Sequence, residues 1–244
     1  MYEDLKKIID GSSRIVFFGG AGVSTESGIP DFRSESGIYK TQSEYGMPPE
    51  EIISFTFFKK KPDIFYKYYK NNMIYLDAKP NDAHLALGRL EERGKLNAVV
   101  TQNIDGLHQK GGSKNVIEVH GSVHRNNCTA CGAFYEAEYI MDPANCENHV
   151  PRCKKCNGLV KPDVVLYEEP LDSNVLSRAV GAIAEADTLI VGGTSLVVYP
   201  AAGFINYFKG SPLVLINKSE TPYDAKADIV IHDSLGEVFG RMGY

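Results

Sequence analysis

The sequence has no apolar stretch approaching the ~20 residues that a membrane-spanning helix needs, so no such segment is expected. Residues Met1 to Asp10 are charged and amphipathic and hold no apolar core of signal-peptide length, which predicts a chain without a leader, working in the cytoplasm. Positive charge is also short: 26 Lys and Arg against 31 Asp and Glu leave a formal net charge of -5, which argues against non-specific binding of a nucleic-acid backbone. Internal repeats and low-complexity tracts are missing. Cysteine is scarce, five in 244 residues, and four of the five fall in two C-x-x-C pairs. That usage fits metal binding in a reducing compartment better than a disulfide framework.

What remains is an ordinary soluble composition, 43% hydrophobic and 23% charged, in a chain long enough for one large domain or one domain with an insertion. Short apolar runs at Ile15–Phe18, Ala98–Val100, Val116–Val119, Val164–Leu166, Thr188–Val191, Leu213–Ile216 and Asp228–Ile231 read as buried strands. Helical patterns precede or separate several of them: Asp4–Ile9, a helix opened by Pro80-Asn81-Asp82 and ended by Gly94, Leu171–Glu185, and Pro200–Phe208 with proline in its first turn. Strands alternating with helices predict an α/β fold with a parallel, doubly wound sheet. Residues Pro49 to Asp77 read as helical in two parts with a break at Pro62, and are dense in Phe and Tyr, a small module packing on itself and over a cleft. Ser34 to Tyr45 is polar, without periodicity, and reads as a mobile loop.

The first strand runs into Gly19-Gly20-Ala21-Gly22-Val23-Ser24-Thr25. Glycines let the backbone turn tightly with its N–H groups bare, and a helix starting near Val23 would aim them at an anion. The stretch departs from G-x-G-x-x-G, because Thr25 stands where the third glycine belongs, and a plain strand-to-helix turn would look the same. Its continuation, Pro30-Asp31-Phe32-Arg33, adds a rigid residue, charge and an aromatic face that a phosphate loop does not need. The strand at Ala98–Val100 runs into Thr101-Gln102-Asn103-Ile104-Asp105, at the strand end where open α/β sheets bind ligands. Those side chains suit an amide and ribose hydroxyls, or merely a polar turn. His120 ends another strand, where it can act as a general base or be a satisfied structural histidine. Cys128-x-x-Cys131 and Cys153-x-x-Cys156 have the spacing of a closed four-thiolate zinc site, with a redox dithiol as the alternative. Cys146 is left over as a free thiol in a loop, and His149 reads as a surface residue.

Gly20 to Arg33, with Thr101 to Gly111, His120-Gly121, Cys128 to Cys156, Gly193 to Ala202 and Asn217, resemble in order and spacing the motifs of the sirtuins, NAD-dependent protein-lysine deacylases. The resemblance implies a Rossmann-like NAD-binding domain from residues 1-34, 78-122 and 162-244. It implies a smaller lobe made of a cofactor loop with helical module (35-77) and a zinc-ribbon module (123-161). It implies that Ala21, Thr25, Phe32 and Arg33 line NAD, that Gln102 and His120 meet the nicotinamide ribose, and that Ile104 and Asp105 hold the carboxamide. Asn103 would order a water and the ribose, while Thr194, Ser195 and Asn217 would meet the phosphates and adenosine. Catalysis would fall to His120, taking a ribose hydroxyl proton, with Asn103. Zinc on the four cysteines would be structural. The implied activity is deacetylation of a protein substrate lying near Val165-Leu166-Tyr167, giving free lysine, nicotinamide and O-acetyl-ADP-ribose. Mono-ADP-ribosyl transfer, or removal of other neutral acyl groups, is the alternative. No membrane or direct nucleic-acid partner is expected.

Three departures stand out. Gly19 replaces a hydroxyl residue, Glu168 stands where the resembling proteins carry glycine, and Tyr69 occupies the arginine position of the Tyr-x-x-Arg pair found in desuccinylating members.

Overall fold

The structure, a computed structural model, describes residues 2–31, 42–197 and 199–244. Six strands form one sheet: β1 (Ile15–Gly19), β2 (Leu96–Thr101), β3 (Val116–Glu118), β4 (Thr188–Gly192), β5 (Leu213–Ile216) and β6 (Ile229–Ile231). The spatial order is β6-β5-β4-β1-β2-β3 and every pairing is parallel. The order reverses between β1 and β4, which opens a crevice at the carboxyl ends of those two strands.

Both faces of the sheet are buried, which is why its strands read as unbroken apolar runs. Ile15, Phe17, Val99, Ile190, Val214 and Ile216 face one side, covered by α1 (Tyr2–Gly11), α2 (Asp82–Glu92) and, from the other end of the chain, Leu235, Val238 and Phe239. Val16, Phe18, Val100, Leu189, Val191 and Leu215 face the other, under Ala179 and Ile183 of α3 (Ser173–Glu185) and the 3-10 helix Ala201–Tyr207. Asn81 caps α2 by accepting the Ala83 N–H at 3.0 Å, and Asp172 caps α3 by accepting two N–H groups. The chain closes with α4 (Leu235–Met242).

A smaller lobe packs around its own cluster, which joins Ile52, Phe58, Phe65, Tyr66 and Tyr69 to Val123, Cys128, Ile140, Cys153 and Val160. Its helical part has three short helices, Pro49–Ile52, Phe55–Lys60 and Pro62–Asn72, where the sequence predicts two. The extra break falls at Ser54, whose extended backbone bridges to Tyr167 before its hydroxyl caps the next turn through Phe57 N. The cysteine-bearing part is a three-stranded antiparallel sheet, Asn126–Cys128 between Phe134–Tyr135 and Val160–Pro162, plus a hairpin pairing Cys146–Glu147 with Val150–Pro151.

Four expectations are corrected. Val164–Leu166 is no strand of the main sheet: Val165 N donates to His120 O, Leu166 N to the Glu169 carboxylate, and only Tyr167 forms a bridge. Beyond it Glu168 adopts φ 75°, the left-handed region that favours glycine, and its carboxylate accepts Thr56 N at 2.9 Å. No α-helix starts near Val23; two 3-10 turns, Ala21–Val23 and Thr25–Ser27, follow β1. Ala201–Tyr207 is likewise a 3-10 helix and not an α-helix. Of the loop expected at Ser34 to Tyr45, residues 42–45 are helical and the rest lies outside the described residues.

Candidate active site

At the crevice, the turn after β1 and the turn after β4 pack backbone to backbone. Gly22 N donates to Gly193 O at 2.8 Å, and Gly193 sits at φ 60°. A Cβ on Gly193 would stand 2.4 Å from Val23 N, so this contact excludes any larger residue. Ala21 and Thr25 are half-exposed on the first turn, where the Thr25 hydroxyl donates to Gly22 O at 3.0 Å. Phe32 and Arg33 lie outside the described residues.

The loop leaving β2 is tied to both turns. Gln102 Nε2 donates to Thr194 Oγ1 at 3.1 Å, so the β2 and β4 ends meet across the crevice. Ser24 Oγ donates to Asp105 Oδ2 at 2.7 Å and lies 3.0 Å from Asn103 Nδ2, which donates to it. Asp105 Oδ1 accepts the Leu107 N–H at 2.9 Å. Burial pushes the Asp105 carboxyl up, while the Leu107 and Ser24 hydrogen bonds oppose the shift. Ile104 packs against the small-lobe cluster, and its carbonyl accepts the Val123 N–H at 3.0 Å. Thus one face of this loop is apolar and the other carries a held carboxylate.

His120 follows β3, half-buried, with Nδ1 3.1 Å from the Gln102 carbonyl oxygen and its own carbonyl accepting Val165 N. It therefore joins the Gln102 loop to the segment Val165-Leu166-Tyr167. Ser195 is exposed beyond Thr194, and Asn217 stands at the end of β5, its amide donating to Ser219 O at 2.8 Å. Among the described residues the structure gathers Gln102, Asn103, Asp105, His120 and Thr194 at the strand ends, with Ala21 and Thr25 beside them. Asn217 is one strand further out. Sequence reading missed Ser24, which bridges Asn103 and Asp105, and His124, whose Nε2 is 3.0 Å from Asp105 O. Ser24 lies inside the glycine-rich stretch and was open to notice; His124 carries no local signal. An open cavity of about 500 Å3 lined by Arg14, Asp187, Lys209 and Ser211 sits at the amino ends of the strands, the wrong end for a ligand site in such a sheet.

The four cysteines Cys128, Cys131, Cys153 and Cys156 bring their Sγ atoms within 4.8 Å of one another, with Cys128–Cys156 at 3.5 Å and Cys131–Cys153 at 3.6 Å. Zn–S bonds of about 2.3 Å imply tetrahedral edges of about 3.8 Å, so the donor set fits zinc. The Tyr135 hydroxyl, 3.1 Å from Cys153 Sγ, holds that thiol down at about 6, while at Cys156 the Gly158 N–H pulls down and the Cys131 and Cys128 sulfurs push the thiol up. A Cβ on Gly158 would stand 3.0 Å from Cys128 Sγ, so the backbone there closes directly over the sulfurs. Cys146 stands apart in the hairpin, its sulfur 3.1 Å from Lys70 Nζ, and His149 is exposed.

The family model described as the Sir2 family matches residues 20–200. A relative from Clostridium acetobutylicum named NAD-dependent protein deacetylase is 62% identical over 96% of this chain and 95% of its own. A solved Sir2 complex with a p53 peptide and NAD+ superposes with a TM-score of 0.87 at 38% identity, covering 99% of this chain and 96% of the other. A Sir2 variant solved with deacetylated p53 peptide and 3'-O-acetyl ADP-ribose gives a TM-score of 0.88 at 40% identity over 98% and 96%.

Proposed function

The chain belongs to the Sir2 family, and from that premise we propose that it is an NAD-dependent protein-lysine deacetylase yielding free lysine, nicotinamide and O-acetyl-ADP-ribose. The observation that carries the reading is His120, held by Gln102 O on one side and joined through its own carbonyl to the Val165-Leu166-Tyr167 segment on the other. A base is thereby set between the nucleotide crevice and the place where an acetylated peptide would pair. NAD supplies the electrophilic ribose carbon and nicotinamide as leaving group.

This chain's residues divide the remaining work. The turns at Ala21 and Thr25, with Thr194 and Ser195, offer backbone N–H groups and hydroxyls to phosphates, and Asn217 lies on the adenosine side; Phe32 and Arg33 belong to the same proposed lining. Ile104 gives the carboxamide an apolar wall and Asp105 an anchored acceptor. Gln102 and Asn103 hold ribose hydroxyls and an ordered water. His120 Nε2 takes the ribose hydroxyl proton, since a carbonyl at Nδ1 can only accept and so keeps the other proton there. Positioning of this kind lowers barriers without further chemistry from the protein. The acetylated peptide lies alongside Val165-Leu166-Tyr167 as an added strand.

Zinc held by Cys128, Cys131, Cys153 and Cys156 has no open position for water and would act on folding only. The domain division stated from sequence, 1-34 with 78-122 and 162-244 against 35-77 and 123-161, belongs to this reading. So does the cytoplasm as its place of work; among the described residues no helix is long and apolar enough to cross a membrane. The test is incubation of purified protein with an acetyl-lysine peptide, with and without NAD. Loss of the acetyl group only with NAD supports the reading. ADP-ribose attached to the peptide would favour transfer instead, and no change would refute both.

A further inference from the structure

The turn that faces the proposed NAD site draws much of its support from distant segments. Thr25–Ser27 is a single 3-10 turn, flanked by Ser24 and by Gly28 in the left-handed region. Such a turn has few internal hydrogen bonds, and they are poorly aligned. Besides the Ser24 bonds to Asn103 and Asp105 and the Gly22 bond to Gly193, two further contacts from distant parts of the chain hold it from outside. Asn81, the cap of α2, donates its side-chain N–H to Val23 O at 2.8 Å. Glu26 reaches the other way, to the first turn of α4, 210 residues on: Oε2 accepts Gly236 N at 2.7 Å and Oε1 accepts the Ser234 hydroxyl at 3.0 Å.

Glu26 is exposed overall, yet both carboxylate oxygens are engaged. Its charge meets the positive end of α4, whose first N–H groups lack helical partners. The helix is shaped for it: a Cβ on Gly236 would stand 2.8 Å from both carboxylate oxygens. The Ser234 side chain makes no capping bond within α4, so its hydroxyl serves Glu26.

We propose that Glu26 is a positioning residue for the cofactor, its carboxylate docked on the first turn of the C-terminal helix so that the turn bearing Thr25 is held against the nucleotide. The inference rests on the NAD-dependent reading above. It adds that nucleotide affinity is set in part by how Gly236 and Ser234 seat the Glu26 carboxylate. In this proposal Glu26 acts through Thr25 and Ala21.

The experiment is direct NAD titration by calorimetry on the full chain, alongside KM for the acetyl peptide and thermal melting. The set is wild type, Glu26→Ala, Glu26→Gln, Gly236→Ala and the double variant Glu26→Ala with Gly236→Ala. Loss of a charge-assisted pair of this kind corresponds to about tenfold in affinity. Glu26→Ala is expected to weaken NAD binding about tenfold with peptide KM unchanged. Glu26→Gln keeps an acceptor for Gly236 N and recovers part of the loss. Gly236→Ala pushes the carboxylate off its seat and reproduces the Glu26→Ala loss, and the double variant is no worse than Glu26→Ala alone. Unchanged NAD affinity in Glu26→Ala, additive losses in the double variant, or parallel losses in NAD affinity, peptide KM and melting temperature would each overturn the proposal. A wild-type chain that binds no NAD overturns both this inference and the deacetylase reading; a wild type that binds NAD, with variants that bind equally well, overturns this inference alone.

Discussion

His120 Nδ1 stands 3.1 Å from the backbone carbonyl oxygen of Gln102. A carbonyl only accepts, so the neutral ring carries its proton on Nδ1 and presents Nε2 as the basic nitrogen. The same bond fixes the ring on the loop that holds Asn103 and Asp105. Removing the proposed base is expected to cost ~10²–10⁴ in rate. His120→Ala should therefore lower kcat by that range while the acetyl peptide and NAD still bind, as read by calorimetry. Wild-type turnover in the purified variant would remove His120 from the mechanism.

Elemental analysis should find one zinc for each chain. Cys128 and Cys153 are buried and share their cluster with Tyr66, Tyr69 and Val160, so a zinc held there would support the whole small lobe. Replacing any one of Cys128, Cys131, Cys153 or Cys156 with Ser should lower the melting temperature and, through it, activity. A strong chelator should do the same to wild type. Full stability in metal-free protein would contradict a structural zinc.

Acyl choice follows from the helix Pro62–Asn72. Tyr66 donates its hydroxyl to Val160 O, and the Tyr69 ring stacks on Phe65 at 5.5 Å with its hydroxyl buried and without a partner. Lys70 Nζ lies 5.8 Å from the Tyr66 ring centroid but is engaged by His149 O at 2.9 Å and by Cys146 Sγ at 3.1 Å, and Lys67 is exposed. A carboxylate buried against the Tyr69 ring would have to draw Lys70 away from His149 O and Cys146 to gain a counter-charge from this helix, and left unpaired it would cost several kcal/mol. Acetyl-lysine should be used over succinyl-lysine in kcat/KM, and Tyr69→Arg should narrow the gap. Equal use of succinyl by the wild type would overturn this.

Acid should loosen the fold through two buried histidines. The His84 and His108 rings meet at a tilt of 60° with centroids 4.8 Å apart, and among the described residues both nitrogens of His108 and Nε2 of His84 lack partners. Burial holds His84 down at about 4 against 6.5, with Glu26 pulling the other way, and burial followed by the His84 ring lowers His108 further. The unfolded chain therefore takes protons first as pH falls. The contribution is complete above about 6.5 and is lost toward 4, on the order of 3 kcal/mol for His84. His108 also packs against Phe17, so His108→Phe keeps an aromatic in place while removing the unpaired nitrogens. Melting temperatures from pH 7 to 5 should fall less steeply in this variant than in wild type; parallel curves would contradict the assignment.

The strands of the main sheet were legible because both faces are buried: Ile15–Gly19 and Thr188–Gly192 are buried throughout, mostly apolar, and end in glycine. The zinc cluster was legible because two residues between cysteines suffice to bring both sulfurs to one ion. Val164–Leu166 has the same apolar run and forms no sheet strand, since its N–H groups go to His120 O and the Glu169 carboxylate. Local sequence does not encode such long-range partners. For the same reason the bonds of Glu26 to Gly236, of Glu168 to Thr56 and of His124 to Asp105 were invisible in advance. Glu168 shows the limit in a second way: a left-handed backbone there follows from the glycine of resembling proteins, and the residue that pins it by its side chain does not.

The most direct test of the central claim is the product balance of one reaction. Purified protein, NAD and an acetyl-lysine peptide are incubated together and all products are quantified by mass spectrometry. The expected result is nicotinamide, free-lysine peptide and O-acetyl-ADP-ribose in equal amounts, with O-acetyl-ADP-ribose formed about 10²–10⁴ times more slowly by His120→Ala. Free acetate without NAD consumption, or ADP-ribose attached to the peptide in place of deacetylation, would contradict it.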